Sequence, residues 1–256
     1  MNKLISLVTA FKKFQGNYDR IQKSALFSWN SNALQVIAPN NEVGIKESCK
    51  DFQNISFIDD VKRGRELGFS TQAPIFKDLI EKALPVANTP MVGFLNADIV
   101  LLEDFSKKLE AILEKYGYGI FITGSRNDIR LDYYVNDEQS YKRIQAEPRT
   151  LFSGSDIFIT SKYIWRLLVS GMPEFIMGRC CLSDWLCLQA QVKKLKKYNS
   201  TNFLPTLHPV HGDEHIYQQE KAHGIKSPSS QHNMNLWISV METYGSVSIK
   251  NWPEVA

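Results

Sequence analysis

Length, composition and charge indicate an ordinary globular protein and argue against several other classes. The 256 residues are 43% hydrophobic and 22% charged, which is enough for one large α/β domain with a sizeable core. The net charge of only +3 and the scattered basic residues argue against nucleic-acid binding. No run approaches the ~20 apolar residues that span a bilayer, and we recognise no signal peptide, which leaves peripheral membrane association open. The four cysteines lack metal-binding spacing, so we expect reduced thiols in a cytoplasmic protein.

Strand and helix patterns alternate along the first half of the chain. We predict strands over residues 4–10, 34–38, 54–58, 91–102 and 119–123, and helices over residues 17–30, 74–87 and 103–116. Residues 91–102 are apolar without a helical stripe, which is typical of a central strand buried on both faces. Repeated βα units of this length predict a mostly parallel sheet with helices on both faces.

The pattern is less regular after Gly124. Residues 127–149 are polar and weakly periodic and are interpreted as a loop over the sheet, followed by a strand over 151–160 and a helix over 161–170. We predict a further helix over 183–197, capped by Ser183 and ending in lysines that suit its dipole. The chain after Gly224 is predicted to be loop-like and mobile.

The segment Asn96-Ala97-Asp98 interrupts the apolar run of residues 91–102. A buried carboxylate is costly unless something pairs with it, and ligands of open α/β sheets bind at the carboxyl ends of strands. A carboxylate two residues after a second oxygen ligand can hold a divalent cation against phosphates. The alternative is a turn in which both side chains bond the backbone.

The usual phosphate-binding loops are absent from the sequence. No G-x-G-x-x-G follows the first strand, and no G-x-x-x-x-G-K-[ST] occurs anywhere, which disfavours a dinucleotide oxidoreductase or a P-loop kinase. If a nucleoside diphosphate binds, its charge must be met by a cation at Asp98 and by basic side chains such as Arg126.

Four short segments, taken together, carry a resemblance. They are Thr9 with the following helix that contains Gln22 and Ser28-Trp29, residues 94–99, residues 153–156 and residues 178–185. In this order the chain resembles the GT-A class of nucleotide-sugar glycosyltransferases, especially bacterial enzymes that build surface polysaccharides. Residues 94–99 look like the family's D-x-D metal motif with Asn in the first position.

The resemblance implies a single Rossmann-like GT-A domain over residues 1–256. Residues 1–126 would form the nucleotide-sugar-binding half, residues 127–222 the acceptor-binding half, and residues 223–256 a C-terminal tail. The donor would be a UDP- or GDP-sugar, and the acceptor a saccharide or a lipid-linked saccharide.

The same resemblance implies roles for donor-binding residues. Asp98 would coordinate Mn²⁺ or Mg²⁺, and Asn96 would contact the ribose or a metal-bound water. Thr9 and Arg126 would complete the donor site. For Arg126 the alternative is an ordinary surface salt bridge.

A second group of residues would serve the acceptor and the chemistry. Asp184 would be the general base if the enzyme inverts configuration; alternatively it is an acid in a first helical turn, where the dipole favours it. Asp156, Arg179 and Trp185 would bind the acceptor or the sugar. For Trp185, which lies on an apolar helical stripe, the alternative is a core position.

Three histidines, His208, His211 and His215, lie within eight positions of one another. In the glycosyltransferase interpretation a loop histidine completes the cation's coordination, with His211 the first choice and His208 the second. His211 to His215 also match H-x-x-E-H, a zinc-protease motif that requires a helix. A proline and a glycine within the segment disfavour that helix, and a polar surface loop is the remaining alternative.

The sequence therefore favours a metal-dependent, inverting glycosyltransferase of capsule or lipopolysaccharide synthesis. A nucleotidyltransferase of sugar metabolism should carry a Gly-rich, basic loop after the first strand, but residues 11–16 contain one glycine. A non-catalytic saccharide-binding protein is the third class and would not need Asp98 and Asp184 to act together.

Overall fold

The computed structural model describes residues 4–32, 34–40, 42–211 and 227–255. This part of the chain contains eleven strands: β1 (Ile5–Val8), β2 (Gln35–Pro39), β3 (Ile55–Ile58), β4 (Met91–Leu95), β5 (Val100–Leu101), β6 (Ile120–Gly124), β7 (Arg126–Ile129), β8 (Thr150–Leu151), β9 (Ile157–Ser161), β10 (Lys196–Asn199) and β11 (Thr206–Pro209). It also contains eight α-helices: α1 (Asn17–Ser31), α2 (Ile45–Ser48), α3 (Phe76–Val86), α4 (Phe105–Tyr116), α5 (Glu138–Gln145), α6 (Lys162–Val169), α7 (Leu182–Val192) and α8 (Pro228–Tyr244). No helix in these ranges has both the length and the hydropathy needed to cross a membrane.

Seven strands form the central sheet in the order β10-β6-β9-β4-β1-β2-β3. Only β9 runs antiparallel to its neighbours, β4 and β6, and the other pairs are parallel. Alternate residues of the strands face opposite sides. Leu7 of β1 packs in the core cluster with α1 and α4, whereas Val8 packs in the cluster with α3, α6 and α7. The predicted mostly parallel sheet with helices on both faces is confirmed.

A second, four-stranded sheet, in the order β5-β11-β7-β8, begins where β4 and β6 end. The chain passes into it from β4 through residues 96–99, and from β6 through Ser125. Strand β11 lies between β5 and β7 and is parallel to β7, with His208 aligned with Asp128. The second sheet therefore brings β11, from late in the chain, between two strands that directly follow β4 and β6.

Two predictions for the middle of the chain need correction. Residues 91–102 are not one strand: β4 ends at Leu95, a turn closes with the Ile99 amide donating to the Asn96 carbonyl at 3.2 Å, and β5 belongs to the second sheet. Residues 127–149 are not simply a loop, because they contain most of β7 and also α5. That helix begins with a capping box between Asp137 and Ser140.

Three predictions for the second half were also wrong in part. The helix predicted over 183–197 ends at Val192, because Lys194 has a left-handed φ of 54° and residues 196–199 pair with β6 as an edge strand. Its N-cap is Cys181 rather than Ser183. The strand predicted over 151–160 is divided between β8 and β9.

The tail predicted to be loop-like contains α8. Ser227 caps this helix by accepting a hydrogen bond from the Ser230 amide at 3.2 Å, and Pro228 occupies its first turn. Serine at the N-cap followed by proline is a common helix start. The Ser-Pro-Ser-Ser segment therefore begins a helix instead of marking a loop.

Candidate active site

Polar residues meet at the end of the central sheet where β4 and β6 terminate and the neighbouring strand β9 begins. Asp98 follows the end of β4, and Arg126 follows the end of β6. Asp156 directly precedes β9, which runs in the opposite direction, and both strand ends are aligned with Ile157 at its start. Because of this register, the two acids and the arginine lie at the same edge, where β11 joins them from the second sheet.

Asp98 and two histidines form a compact cluster there. The Oδ2 atom of Asp98 lies 3.2 Å from Nε2 of His211 and 3.6 Å from Nε2 of His208. One ligand atom from each residue can be chosen so that all three lie within 4.8 Å of one another. A first-row metal ion lies about 2.0–2.2 Å from nitrogen and oxygen ligands, which places neighbouring ligand atoms roughly 3–3.5 Å apart. The spacing of the cluster fits a divalent cation.

The electrostatics of Asp98 also suit a cation. Burial by itself raises the pKa of Asp98, but the hydrogen bonds and charges of His208 and His211 outweigh burial and hold this pKa well below its usual range. Among the described residues, the other carboxylate oxygen, Oδ1, is buried without a hydrogen-bond partner. An unpaired buried oxygen on an ionised carboxylate is costly, and coordination to a cation would satisfy it.

A second carboxylate holds the ring nitrogen of His208 that faces away from Asp98. Its Nδ1 lies 2.9 Å from Oδ1 of Asp128, and the residue is only 4% exposed. Burial lowers the pKa of His208, but hydrogen bonds to Asp128 and Asp98 raise it to about 9. In the metal-free protein a proton on this imidazole therefore balances part of the charge of the two acids.

Arg126 links Asp128 to a third acid. Its Nε donates to Asp128 Oδ1 at 2.9 Å, and its Nη1 donates to Asp156 Oδ1 at 3.2 Å. Phe152 covers the guanidinium, with the ring centre 4.0 Å from Cζ. Burial raises the pKa of Asp156, although Arg126 opposes the shift, and its Oδ2 has no partner in the described part of the chain.

Sequence reasoning missed both Asp128 and Phe152. Each owes its position to the pairing of short strands: Asp128 is aligned with His208, and the Phe152 amide bonds the Arg126 carbonyl at 3.0 Å. The polar strand β7 has no alternation of apolar residues that would have predicted these contacts.

The start of α1 and the turn that precedes it also lie near the cluster. Tyr18 contacts His211 edge-on, with ring centres 5.4 Å apart, and its hydroxyl lies 2.9 Å from Nζ of Lys12. Thr9, at the end of β1, is fully buried, and its hydroxyl is unpartnered among the described residues. Asn96 is half-buried in the turn before Asp98. The first turn of α1 thus places an aromatic ring against His211, and the lysine of the preceding turn lies next to that ring.

Asp184 lies in the first turn of α7 and is exposed. Partial burial of its carboxyl raises its pKa, and no ion-pair partner for it occurs in the described ranges. One turn further along α7, the Cys187 sulfur lies 3.8 Å from the Ser155 hydroxyl, the neighbour of Asp156. The start of α7 therefore faces the same sheet edge as the cluster.

The other two predicted acceptor residues have different surroundings. Trp185 is only 1% exposed and packs against Phe175 with ring centres 5.9 Å apart. It has no free face for a sugar, so the expectation of sugar stacking is corrected to the core alternative. Arg179 donates to the Ser229 hydroxyl of α8 at 2.8 Å and to Thr71 Oγ1 at 3.4 Å.

The zinc-protease motif of the sequence covers residues 211–215. Of these, the structure describes only His211, which lies two residues beyond the end of β11. Residues 212–215, with His215, lie outside the described residues.

No protein-family model and no curated protein sequence matches the chain. Among solved structures it is similar to Staphylococcus aureus TarS, residues 1–349, with a TM-score of 0.53 and 10% identity over 91% of this chain and 69% of that one. The structure of the same TarS segment in complex with UDP-GlcNAc gives a TM-score of 0.52 and 11% identity over 97% and 74% of the two chains. At this identity the likeness shows the fold alone. The expected resemblance is confirmed at that level, and the chain has the fold of a GT-A-like glycosyltransferase.

Proposed function

We propose that this protein is a metal-dependent glycosyltransferase that moves a sugar from a nucleotide-sugar to a saccharide or lipid-linked saccharide, with inversion. The observation that carries the proposal is the ionised Asp98 with two imidazoles at the strand-end edge of a GT-A-like sheet. The UDP-GlcNAc bound to TarS supports a UDP-sugar as donor. We place the reaction in the synthesis of a surface polysaccharide such as capsule or lipopolysaccharide.

Asp98, His208 and His211 would hold the cation. One carboxylate and two imidazoles suit Mn²⁺ better than Mg²⁺, which prefers oxygen ligands and keeps most of its waters. A bound cation would stabilise the charge that develops on the leaving nucleoside diphosphate. The chain's contribution is to hold three ligand atoms at the required spacing.

Residues around the cluster would bind the rest of the donor. Thr9 and Asn96 lie at the ends of β1 and β4, which are adjacent in the sheet, and Lys12 supplies positive charge next to Tyr18. We assign Arg126 to holding Asp128 and Asp156 in place, because its Nε and Nη1 already donate to these two acids. This assignment replaces the direct contact with phosphate expected for Arg126.

Asp184 would take the proton from the acceptor hydroxyl. A general base must be within reach of its substrate and be ionised at the working pH. Asp184 is exposed at the start of α7, and its raised pKa makes it a stronger base than an ordinary aspartate. Asp156, whose Oδ2 has no partner among the described residues, would accept a hydrogen bond from a sugar hydroxyl, and Arg179 would bind the acceptor.

A donor screen tests the proposal directly. We expect UDP-sugars to raise the melting temperature only when Mn²⁺ is present, because ligand binding stabilises the folded state by mass action. The stabilising donor should then release UDP when saccharide acceptors are added. Pyrophosphate release from UTP and a sugar phosphate would instead identify a nucleotidyltransferase. Stabilisation by saccharides alone, with no effect of nucleotide or Mn²⁺, would indicate a saccharide-binding protein.

A further inference from the structure

Asp128 and His208 occupy directly paired positions on parallel strands. The register of β7 and β11 aligns the two residues, and Oδ1 of Asp128 lies 2.9 Å from Nδ1 of His208. The other ring nitrogen of His208, Nε2, lies 3.6 Å from Asp98 Oδ2. The imidazole therefore lies between a carboxylate that holds it and a carboxylate of the candidate metal cluster.

We infer that Asp128 is a positioning residue that prepares His208 for the metal; the inference rests on the proposed function. A carboxylate that accepts a hydrogen bond from Nδ1–H fixes the tautomer and the orientation of the ring, and it makes the opposite nitrogen a better ligand. For His208 that nitrogen is Nε2, which faces Asp98. Asp128 itself does not coordinate the ion in this arrangement.

Arg126 fixes the position of Asp128 in turn. The same Oδ1 that meets His208 also accepts from Arg126 Nε at 2.9 Å, while Nη1 of Arg126 holds Asp156 and Phe152 covers the guanidinium face. Because Arg126 has a carboxylate on either side and an aromatic ring over one face, it has little freedom to move. The orientation of His208 is thus set by part-buried contacts within the protein, and no substrate is required to form it.

His211 lacks a comparable support. Its Nδ1 is buried without a hydrogen-bond partner among the described residues, and its ring contacts are with Tyr18 and His208. Among the described residues the two histidines therefore differ: a carboxylate outside the cluster holds His208, whereas His211 has its contact with Asp98 and the packing of its ring. Loss of Asp128 should remove this difference.

Mn²⁺ binding to the full chain without nucleotide tests the inference. We measure the Kd by electron paramagnetic resonance for the wild type, Asp128→Ala and Asp128→Asn, with Asp132→Ala as control. Asp132 is an exposed acid on the same segment, so its removal reproduces the loss of one negative charge. Asp128→Ala should weaken binding about 10- to 100-fold, the usual effect of losing such a support. Asp128→Asn should weaken it less, because the amide oxygen can still accept from Nδ1–H, and Asp132→Ala should change little.

A double-mutant cycle shows whether Asp128 acts through His208. Contacting residues that act as one unit are not additive, so Asp128→Ala should cost nothing further once His208→Ala is present. Independent, multiplying losses would overturn the positioning role. If Asp128→Ala and Asp128→Asn both bind Mn²⁺ like the wild type, the inference is wrong and the metal site stands. If the wild type binds no Mn²⁺, both the proposed metal site and the inference are wrong. Melting temperatures in chelator identify a misfolded variant, and Asp128→Asn then provides the test.

Discussion

The Asp98 cluster and the start of α7, which carries Asp184, face the same end of the central sheet, but different contacts hold them in place. Around Asp98, strand register brings charged side chains together, and Arg126 joins two of the acids. The loop before α7 is instead held to α8 by hydrogen bonds to uncharged partners there, Ser229 and Asn233. Asn233 accepts from the Ile176 amide at 2.9 Å and donates to the Ile176 and Cys180 carbonyls at 2.9 and 3.1 Å.

The difference separates two tasks that a glycosyl transfer requires. A buried, ionised cluster with paired charges suits a fixed cation, because buried charge must be compensated. An exposed carboxylate with a raised pKa, in the first turn of a helix that follows a loop held by uncharged side chains of α8, suits proton transfer from an incoming substrate. Variants that affect only one region should therefore alter only one task.

Asp98→Ala should have the largest effect, because it removes the one carboxylate that the described residues contribute to the candidate metal cluster. We expect Mn²⁺-dependent binding of UDP and glycosyl transfer both to be lost, while the far-ultraviolet circular dichroism spectrum is retained. Calorimetry with UDP, with and without Mn²⁺, measures the first. Asp104→Ala is the control, because this exposed acid pairs only locally with Lys108. Unchanged UDP affinity in Mn²⁺ would contradict a role of Asp98 at the metal.

Asp184→Asn should lower turnover about 10²–10⁴-fold, the usual contribution of a general base. The Kd for UDP and Mn²⁺ should stay within about twofold, because the base touches the acceptor. In the wild type, turnover should fall as the pH drops through the raised pKa of Asp184, since protonation removes the base. The residual activity of Asp184→Asn should lack this acid limb. Wild-type turnover in the variant would show that Asp184 is not the general base and is only an acid in the first turn of α7.

The sequence predicts the regular part of the fold because local patterns determine it. Strands β1, β2, β3 and β6 and helices α1, α3 and α4 agree with the predictions within a few residues, since buried apolar runs and helical stripes are local signals. The short polar strands β7, β8, β10 and β11 were missed or merged. Their existence depends on partners far along the chain, which no local period reveals.

Within the candidate site, too, local sequence patterns predicted some residues and missed others. Asp98 was recognisable because an acid interrupts an apolar run, and the histidines because three lie close together. The sequence did not show that His208 and His211 lie near the same carboxylate oxygen. They do so because β11 lies between β5 and β7. Asp128 was not recognisable, because its role depends on a register that aligns positions 80 residues apart. Trp185 was placed correctly only by its alternative, a core position on a helical stripe.

His211→Ala should weaken Mn²⁺ more than Mg²⁺, sharpening the description of the cluster. Imidazole suits transition metals, whereas Mg²⁺ prefers oxygen, so we expect about a tenfold or greater loss for Mn²⁺ and a smaller one for Mg²⁺. Competition binding with both ions measures the two affinities. His232→Ala is the matched control, because this histidine contacts Phe69 and the Glu174 carbonyl instead. Equal losses for the two metals would argue against direct ligation by His211.

Asn233→Ala should have the smallest effect on chemistry and should act only on the Asp184 region. Asn233 is fully buried, so the substitution leaves buried backbone groups of Ile176 and Cys180 without partners. Such losses cost about 1–3 kcal/mol each, and at the lower limit the three of them total about 3 kcal/mol, which lowers the melting temperature by roughly 6–12 °C in a chain of this size. Because the loop that precedes Asp184 then loosens, the acceptor KM should rise by about a few-fold, with unchanged Mn²⁺ affinity. Asn235→Ala, an exposed position on the same helix, should do neither. If Asn233→Ala weakened Mn²⁺ as much as it affected the acceptor, the two regions would be one cooperative unit, and the separation of cation binding from proton transfer would not hold.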